Sequence, residues 1–392
     1  MTKPTVIINQ KTVVFRVLLI IFALFFFLFA IKLLVASLGN FSQVLQNNFL
    51  DTTLDPFVGL FIGLLTTAII QSSSTTSTMT VAMVATGTLT IQESVPIILG
   101  ANIGTTLTST IVSLGYISDR FAFRKAISAG VIHDLYNIAL VLILFPLELY
   151  YGLLSESSIY LQNLIVDHVS IGSNFKLDKI FDFGIARYLV QMVNNQVAMM
   201  IIALIGLFAS IKLLTGVIQK SVIGDSKNKL RTYIFEKPFK SFGWGVAITS
   251  AIQSSSVATS LVVPLVATQK LKLKNVFPFI IGANLGTTIT ALIAASFSSK
   301  IALSIALTHL IVNLFGAVLF MSFSRLRDLL VRFTKGFSII ITKRRVLGLA
   351  YILLTFFLIP FLLITLHRQL KSDKVSDSSS NQKTELVVGD NK

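Results

Sequence analysis

One polar tetrad occurs twice in this chain, and its recurrence limits what the chain can fold into. Gln71-Ser72-Ser73-Ser74 returns as Gln253-Ser254-Ser255-Ser256, an offset of 182 residues (253 − 71). The same offset carries Pro56-Phe57 onto Pro238-Phe239, Gly63 onto Gly245 and Pro96 onto Pro278. It also carries Gly100-Ala101-Asn102 onto Gly282-Ala283-Asn284, and Gly104-Thr105-Thr106 onto Gly286-Thr287-Thr288. Such internal symmetry is a mark of secondary transporters, whose two halves share one substrate site.

The tetrads sit in apolar surroundings. The chain has 392 residues, 54% hydrophobic and 13% charged, with mean hydropathy +0.81. That composition predicts an all-α polytopic membrane protein. A net charge of +16 raises the question of nucleic acid, but the cations lie in short runs between apolar stretches, as cytoplasmic loops do. No nucleic-acid partner is expected. The absence of cysteine excludes disulfides and thiol catalysis.

Loop charge orders the spans. Residues 1–12 read as a cytoplasmic N-terminus, followed by a span over about 13–38 and an outer loop, 39–56, without Lys or Arg. Phe57–Gln92 carries no charge and is broken at the tetrad, leaving halves too short for a core needing roughly 20 residues. It is expected to be a re-entrant hairpin, 57–92, and its copy a hairpin over 239–268. Ser94–Ser113 reads as a span interrupted at Gly100 and Gly104, and Val276–Ala295 as its repeat. Further spans fall at Ala126–Tyr150, Gly184–Leu214 and Ile301–Phe323, with an external loop over 153–183.

Three crossings separate the hairpins. An odd number inverts the copies relative to each other. The expected organisation is therefore repeat 1 over 13–152 and repeat 2 over 184–323. A basic segment with one extra C-terminal span follows over 324–370, and a disordered tail over 371–392.

Three constellations bear chemistry. Each tetrad precedes a half-helix whose free N–H groups favour an anion, and serine hydroxyls add donors. Thr75 continues the polar face. A lone serine run reads equally well as capping or close helix packing, but two runs in facing hairpins favour a site. Next, Asn102, Thr105 and Thr106 with Asn284, Thr287 and Thr288 offer neutral oxygens beside paired glycines. An unwound helix there suits sodium, and the Gly100/Gly104 spacing equally suits close helix packing. Last, His133-Asp134-Leu135-Tyr136-Asn137 is echoed by His309 and Asn313, without the acid. Asp134 either pairs with Arg124 or Lys125 or draws in a cation. The histidines are expected to be hydrogen-bonded structural residues. The tetrads have no acid or histidine within sequence reach, which disfavours an enzyme.

At these residues the chain resembles the type II sodium–phosphate cotransporter family. The family's repeated Gln-Ser-Ser-Ser signature is present at 71–74 and 253–256. Its Gly-Ala-Asn-Ile-Gly-Thr pattern matches Gly100–Thr105 and, with Leu285 for Ile, Gly282–Thr287. His133–Asn137, with Tyr136 for Phe, precedes Leu144–Glu148 as in the family. The resemblance covers about residues 50–325. It implies a sodium-coupled symporter of inorganic phosphate, a monomeric transport unit working by alternating access. Phosphate would lie between the tetrads. Sodium, the coupling ion, would bind the hydroxyls, Asn137, the Gly-Ala-Asn segments and Asn313. Asp134 matches the acid that accompanies electrogenic transport in the family. The short, cysteine-free loop 153–183 points to a bacterial member in the plasma membrane. A symporter of sulfate or a carboxylate and an anion channel remain as alternatives.

Overall fold

The computed structural model describes residues 18–37, 55–168, 188–222 and 233–365, apart from 20, 24, 35, 191, 194, 297, 345, 363 and 364. The N-terminal segment expected on the cytoplasmic side, most of loop 39–56, residues 169–183, the basic stretch 223–232 and the tail 371–392 lie outside the described residues. All regular structure among the described residues is helical. In chain order the helices are α1 (Ile21–Leu34), α2 (Pro56–Ile70), α3 (Ser73–Ala85), α4 (Ile91–Leu114), α5 (Arg120–Tyr151) and α6 (Leu153–His168). There follow α7 (Gln196–Val222), α8 (Pro238–Ile252), α9 (Ser255–Ala267), α10 (Leu273–Ser296), α11 (Lys300–Ser322), α12 (Ser324–Lys343) and α13 (Val346–Leu353).

The duplication is structural to the residue. The bounds of α2, α3 and α4 become those of α8, α9 and α10 when 182 is added. Local chemistry sets those bounds. Asp55 caps α2 through its carboxylate, and Pro56 occupies the first turn, where no intrahelical N–H partner is needed. Thr90 and Glu93 form a reciprocal capping box at the start of α4. Asp119 caps α5 by accepting from the Phe121 and Ala122 amides.

α2 and α3 form a folded-back pair. Thr67 Oγ1 donates to Thr76 Oγ1 at 2.8 Å across the break. Nine residues of straight helix would hold these positions roughly 13 Å apart, so the axis turns sharply at the tetrad. In the second copy the partner positions are Thr249 and Ala258, and Thr249 Oγ1 is buried without a partner.

The expected interruption at Gly100 and Gly104 is not present. α4 and α10 run unbroken through both glycine pairs. The glycines serve packing instead. A Cβ on Gly100 would stand 1.9 Å from the Leu60 carbonyl oxygen, and one on Gly282 would stand 2.1 Å from that of Phe242. Gly63 and Gly245 face the other way across the same seams, at 2.0 Å from Ile97 O and 2.2 Å from Phe279 O. Backbone thus lies against backbone where α2 meets α4 and α8 meets α10, as small residues allow in membrane helices.

The copies interlock. α3 packs against α10 and α11 of the second copy, and α9 packs against α4 and α5 of the first. One core joins Phe27 and Leu34 of α1 to Val81, Ala203, Ala294 and Ile305. Another joins Ile132 and Tyr136 of α5 to Val262, Phe277, Phe320 and Val331. Tyr136 meets the rings of Phe277 and Phe320 edge-on, at 5.8 and 5.2 Å.

Other differences from the sequence reading concern the flanks. The stretch after Gly152, expected to be loop, opens with α6, which packs on α11. Glu148 anchors it by accepting from the Leu154 and Ser155 amides and the Ser155 hydroxyl. The basic segment after 323 is an amphipathic helix, α12. It bends by 119° into α13, which continues through a π-helical turn at Leu354–Leu358. α4, α5, α10 and α11 are each long and apolar enough to cross a membrane, and the bent pair raises the number to as many as five among the described residues. The first hairpin ends at Ala85, short of the expected 92, because Gly87, at φ 72°, turns the chain before α4.

Candidate functional site

Each tetrad is a helix end and a helix start in four residues. Gln71 and Gln253 close α2 and α8 in the left-handed conformation, both at φ 57°. Glycine is the usual residue there, and any other costs roughly 1–2 kcal/mol. The same strain at both copies, with a glutamine in place, points to a need for the side chain. Ser72 and Ser254 then cap α3 and α9, accepting from the Thr75 and Val257 amides. That leaves the first two amides of each half-helix, those of Ser73, Ser74, Ser255 and Ser256, without an intrahelical acceptor.

The tetrads meet. Ser74 Oγ donates to the Gln253 carbonyl oxygen at 3.2 Å. Ser256 Oγ reaches Thr105 O at 3.5 Å, so the second copy turns instead toward α4. Ser73 and Ser255 are buried, and neither hydroxyl has a hydrogen bond among the described residues. Ser72 Oγ also meets Thr75 Oγ1 at 2.8 Å. Gln71 is exposed and Gln253 is 7% exposed, with its Oε1 lacking a donor. Two helix starts and a set of unengaged hydroxyls therefore converge around one junction, an arrangement that suits an anion.

A second polar layer surrounds it, and it is reciprocal. His133 Nε2 bonds Asn284 Oδ1 at 2.7 Å, and His309 Nε2 bonds Asn102 Oδ1 at 3.0 Å. Each histidine thus ties its own copy to the other, the structural task expected for it. Asn284 Nδ2 donates to Asn137 Oδ1 at 2.7 Å, and Asn313 Nδ2 to the His309 carbonyl at 3.1 Å. Ser77 Oγ meets His309 Nδ1 at 3.2 Å, linking α3 to α11. Four threonines line the same helices: Thr105, Thr106, Thr287 and Thr288 donate to Ala101, Ile103, Ala283 and Leu285 carbonyls. A hydroxyl that gives its proton to its own helix keeps its lone pairs for a cation. With α4 and α10 unbroken, side-chain oxygens rather than freed carbonyls are the cation donors available.

Asp134 borders this layer, with Thr106 beside it. It is fully buried, and neither Arg124 nor Lys125 pairs with it. Its Oδ2 accepts from Thr110 Oγ1 at 2.8 Å and Tyr351 OH at 2.9 Å, while Oδ1 has no partner. An intramembrane carboxylate held by neutral donors with one oxygen free is a functional group by default. Tyr351 is the residue that sequence reasoning missed. It lies on α13, beyond the duplicated region, so no repeat flagged it. Ser77 was seen only as part of a polar face.

The fold and site together define a polytopic helical membrane protein whose two interlocked copies enclose a buried, neutral polar junction. Comparison with known proteins narrows this. The family model of the Na+/Pi-cotransporter matches residues 26–153 and 206–352, and the chain belongs to that family. It is 28% identical over 388 residues to sodium-dependent phosphate transport protein 2A of Mus musculus, covering 79% of this chain and 60% of the relative. It is also 28% identical over 446 residues to sodium-dependent phosphate transport protein 2B of Homo sapiens, covering 88% and 64%. The chain thus spans less than two thirds of these relatives. No solved structure matches it.

Proposed function

We propose that the chain is a sodium-coupled symporter of inorganic phosphate. The observation that carries this reading is the contact of Ser74 with the Gln253 carbonyl, which brings the two copies of one anion-suited motif into one place. Phosphate is held by Gln71, Ser72, Ser73, Ser74 and Thr75 from one side and Gln253, Ser254, Ser255 and Ser256 from the other. No Lys or Arg occurs in 57–92 or in 241–268, so co-bound cations must offset the anion. Asn102, Thr105, Thr106, Asn137, Asn284, Thr287, Thr288 and Asn313 supply neutral oxygens for sodium. Asp134 supplies a fixed negative charge that admits one further cation and makes the cycle electrogenic. Sodium binds first, because a neutral pocket cannot hold a dianion alone.

The reciprocal histidine–asparagine bonds support two inverted repeats with re-entrant hairpins. In this reading the three crossings between the copies are α4, α5 and the span expected over 184–214, whose described helix is α7; α6, with 16 residues, is too short to add a fourth. Movement of one interlocked half against the other exposes the site to each side in turn. The setting we propose is the plasma membrane of a bacterium. Uptake of labelled phosphate into proteoliposomes tests the reading. An inward sodium gradient should drive accumulation, an inside-negative potential should increase it, and excess sulfate should leave it intact. Equal uptake without sodium would refute the coupling, and displacement by sulfate would refute the substrate.

A further inference from the structure

A basic cavity lies away from the tetrads, where α5, the turn between α9 and α10, and α12 converge. It measures about 620 Å³, and its lining includes Arg124, Lys125, Gln269, Lys272, Lys274 and Lys335. We propose that this cavity binds the phosphate group of an anionic lipid.

The charges are uncompensated. Lys274 pairs with Asp328 at 3.1 Å. Arg124, Lys125, Lys272 and Lys335 have no carboxylate partner among the described residues. Arg124 and Lys125 stand over the Phe121 ring at 5.5 and 5.2 Å, which orders them without neutralising them. Three chain segments far apart in the sequence, around residues 124–125, 272–274 and 335, each bring cations to one concavity, and like charges there repel unless an anion joins them. A smaller cavity of about 250 Å³ extends the seam, sharing Arg124 and adding Arg120 and Lys343. Gln269, at φ 60°, makes the same left-handed turn as Gly87 in the first copy, and here that turn lines the cavity.

The neighbouring helix argues for a lipid as the source of the phosphate. α12 buries Val331, Thr334, Ser338 and Ile341 and exposes Leu329, Phe333 and Ile340 in a stripe, beside Arg332 and Lys335. Its 119° bend into apolar α13 sets it across the direction of that helix. A basic helix with an outward apolar stripe lies in the headgroup layer, its stripe against acyl chains. All three basic segments belong to the side that loop charge assigns to the cytoplasm, where anionic headgroups meet such pockets. The proposal is independent of the transport reading, since it uses none of the tetrad or sodium residues.

Calorimetric titration of the purified full chain in neutral detergent tests it. The probes are dioctanoyl phosphatidic acid, dioctanoyl phosphatidylcholine and inorganic phosphate. Phosphatidic acid should bind and phosphatidylcholine should not. Each cation contributes about fivefold, so the double variant Lys272→Gln/Lys335→Gln should bind roughly 25-fold more weakly, while Lys272→Arg/Lys335→Arg retains binding. Raising ionic strength should weaken binding to the unaltered chain, a readout that holds even if the double variant misfolds. Wild-type affinity in the glutamine variant, or binding indifferent to salt, would overturn the site. Displacement of the lipid by inorganic phosphate at equal concentration would overturn the lipid as its source.

Discussion

Replacing Gln253 by glycine separates the needs of the fold from those of the site. The residue sits at φ 57° and ψ 27°, where glycine carries no steric penalty. Relief of left-handed strain returns roughly 1–2 kcal/mol, and the added freedom of glycine in the unfolded chain takes back about 0.5–1. The variant also removes a buried Oε1 that has no donor, worth about 1–3 kcal/mol more. The sum favours the variant by roughly 1–4 kcal/mol. Gln71→Gly gains only the backbone part, about 0–1.5 kcal/mol, because Gln71 is exposed. The assay is paired: thermal unfolding of the purified protein, and sodium-driven phosphate uptake after reconstitution. Both variants should melt at or above the parent, Gln253→Gly higher than Gln71→Gly, and both should lose uptake. A lower melting point for either would show that the glutamines hold the fold together. Undiminished uptake would show that their side chains have no part in the site.

Other outcomes follow from the same geometry. Gly100→Ala must open the α2–α4 seam from 1.9 Å to at least 3.4 Å at the Leu60 carbonyl, costing about 1–3 kcal/mol; Gly336→Ala, with open space around it, should cost nothing in the same unfolding assay. Ala258→Ser supplies the partner that Thr249 Oγ1 lacks and should raise stability by about 0.5–1.5 kcal/mol in chemical denaturation. Tyr351→Phe removes one of the two hydrogen bonds that Asp134 Oδ2 accepts and should change the sodium concentration for half-maximal uptake at least about tenfold, with the phosphate dependence at saturating sodium unchanged.

Much of this was legible in the sequence because the chain says it twice. The shared offset of 182 marked the two helix-break-helix units and the helices that follow them. The histidines were readable as hydrogen-bonded structural residues, but not their partners, which lie on the other copy at Asn284 and Asn102. The glycine pairs were not decidable locally. Gly100 and Gly104 fit an unwound helix or a close seam equally well, and only the neighbouring Leu60 and Leu64 backbone settles it. The left-handed glutamines were invisible because glutamine has no preference for that conformation. Tyr351 carried no signal, lying outside the duplication. α12 had one: Leu326, Leu330, Phe333 and Phe337 recur at helical spacing, but its five Lys and Arg drew attention to charge alone.

The claim most open to direct test is that the two tetrads make one site. Phosphate binding to the purified chain in saturating sodium should be measured for Ser73→Ala and Ser255→Ala separately. Each serine is buried with its hydroxyl unengaged among the described residues, and a hydrogen bond to a charged ligand contributes about 1.5–3 kcal/mol. Either substitution alone should therefore weaken phosphate at least about tenfold, with the number of sites unchanged. Two independent sites would instead halve the stoichiometry and leave the remaining affinity intact, and that result would contradict the account.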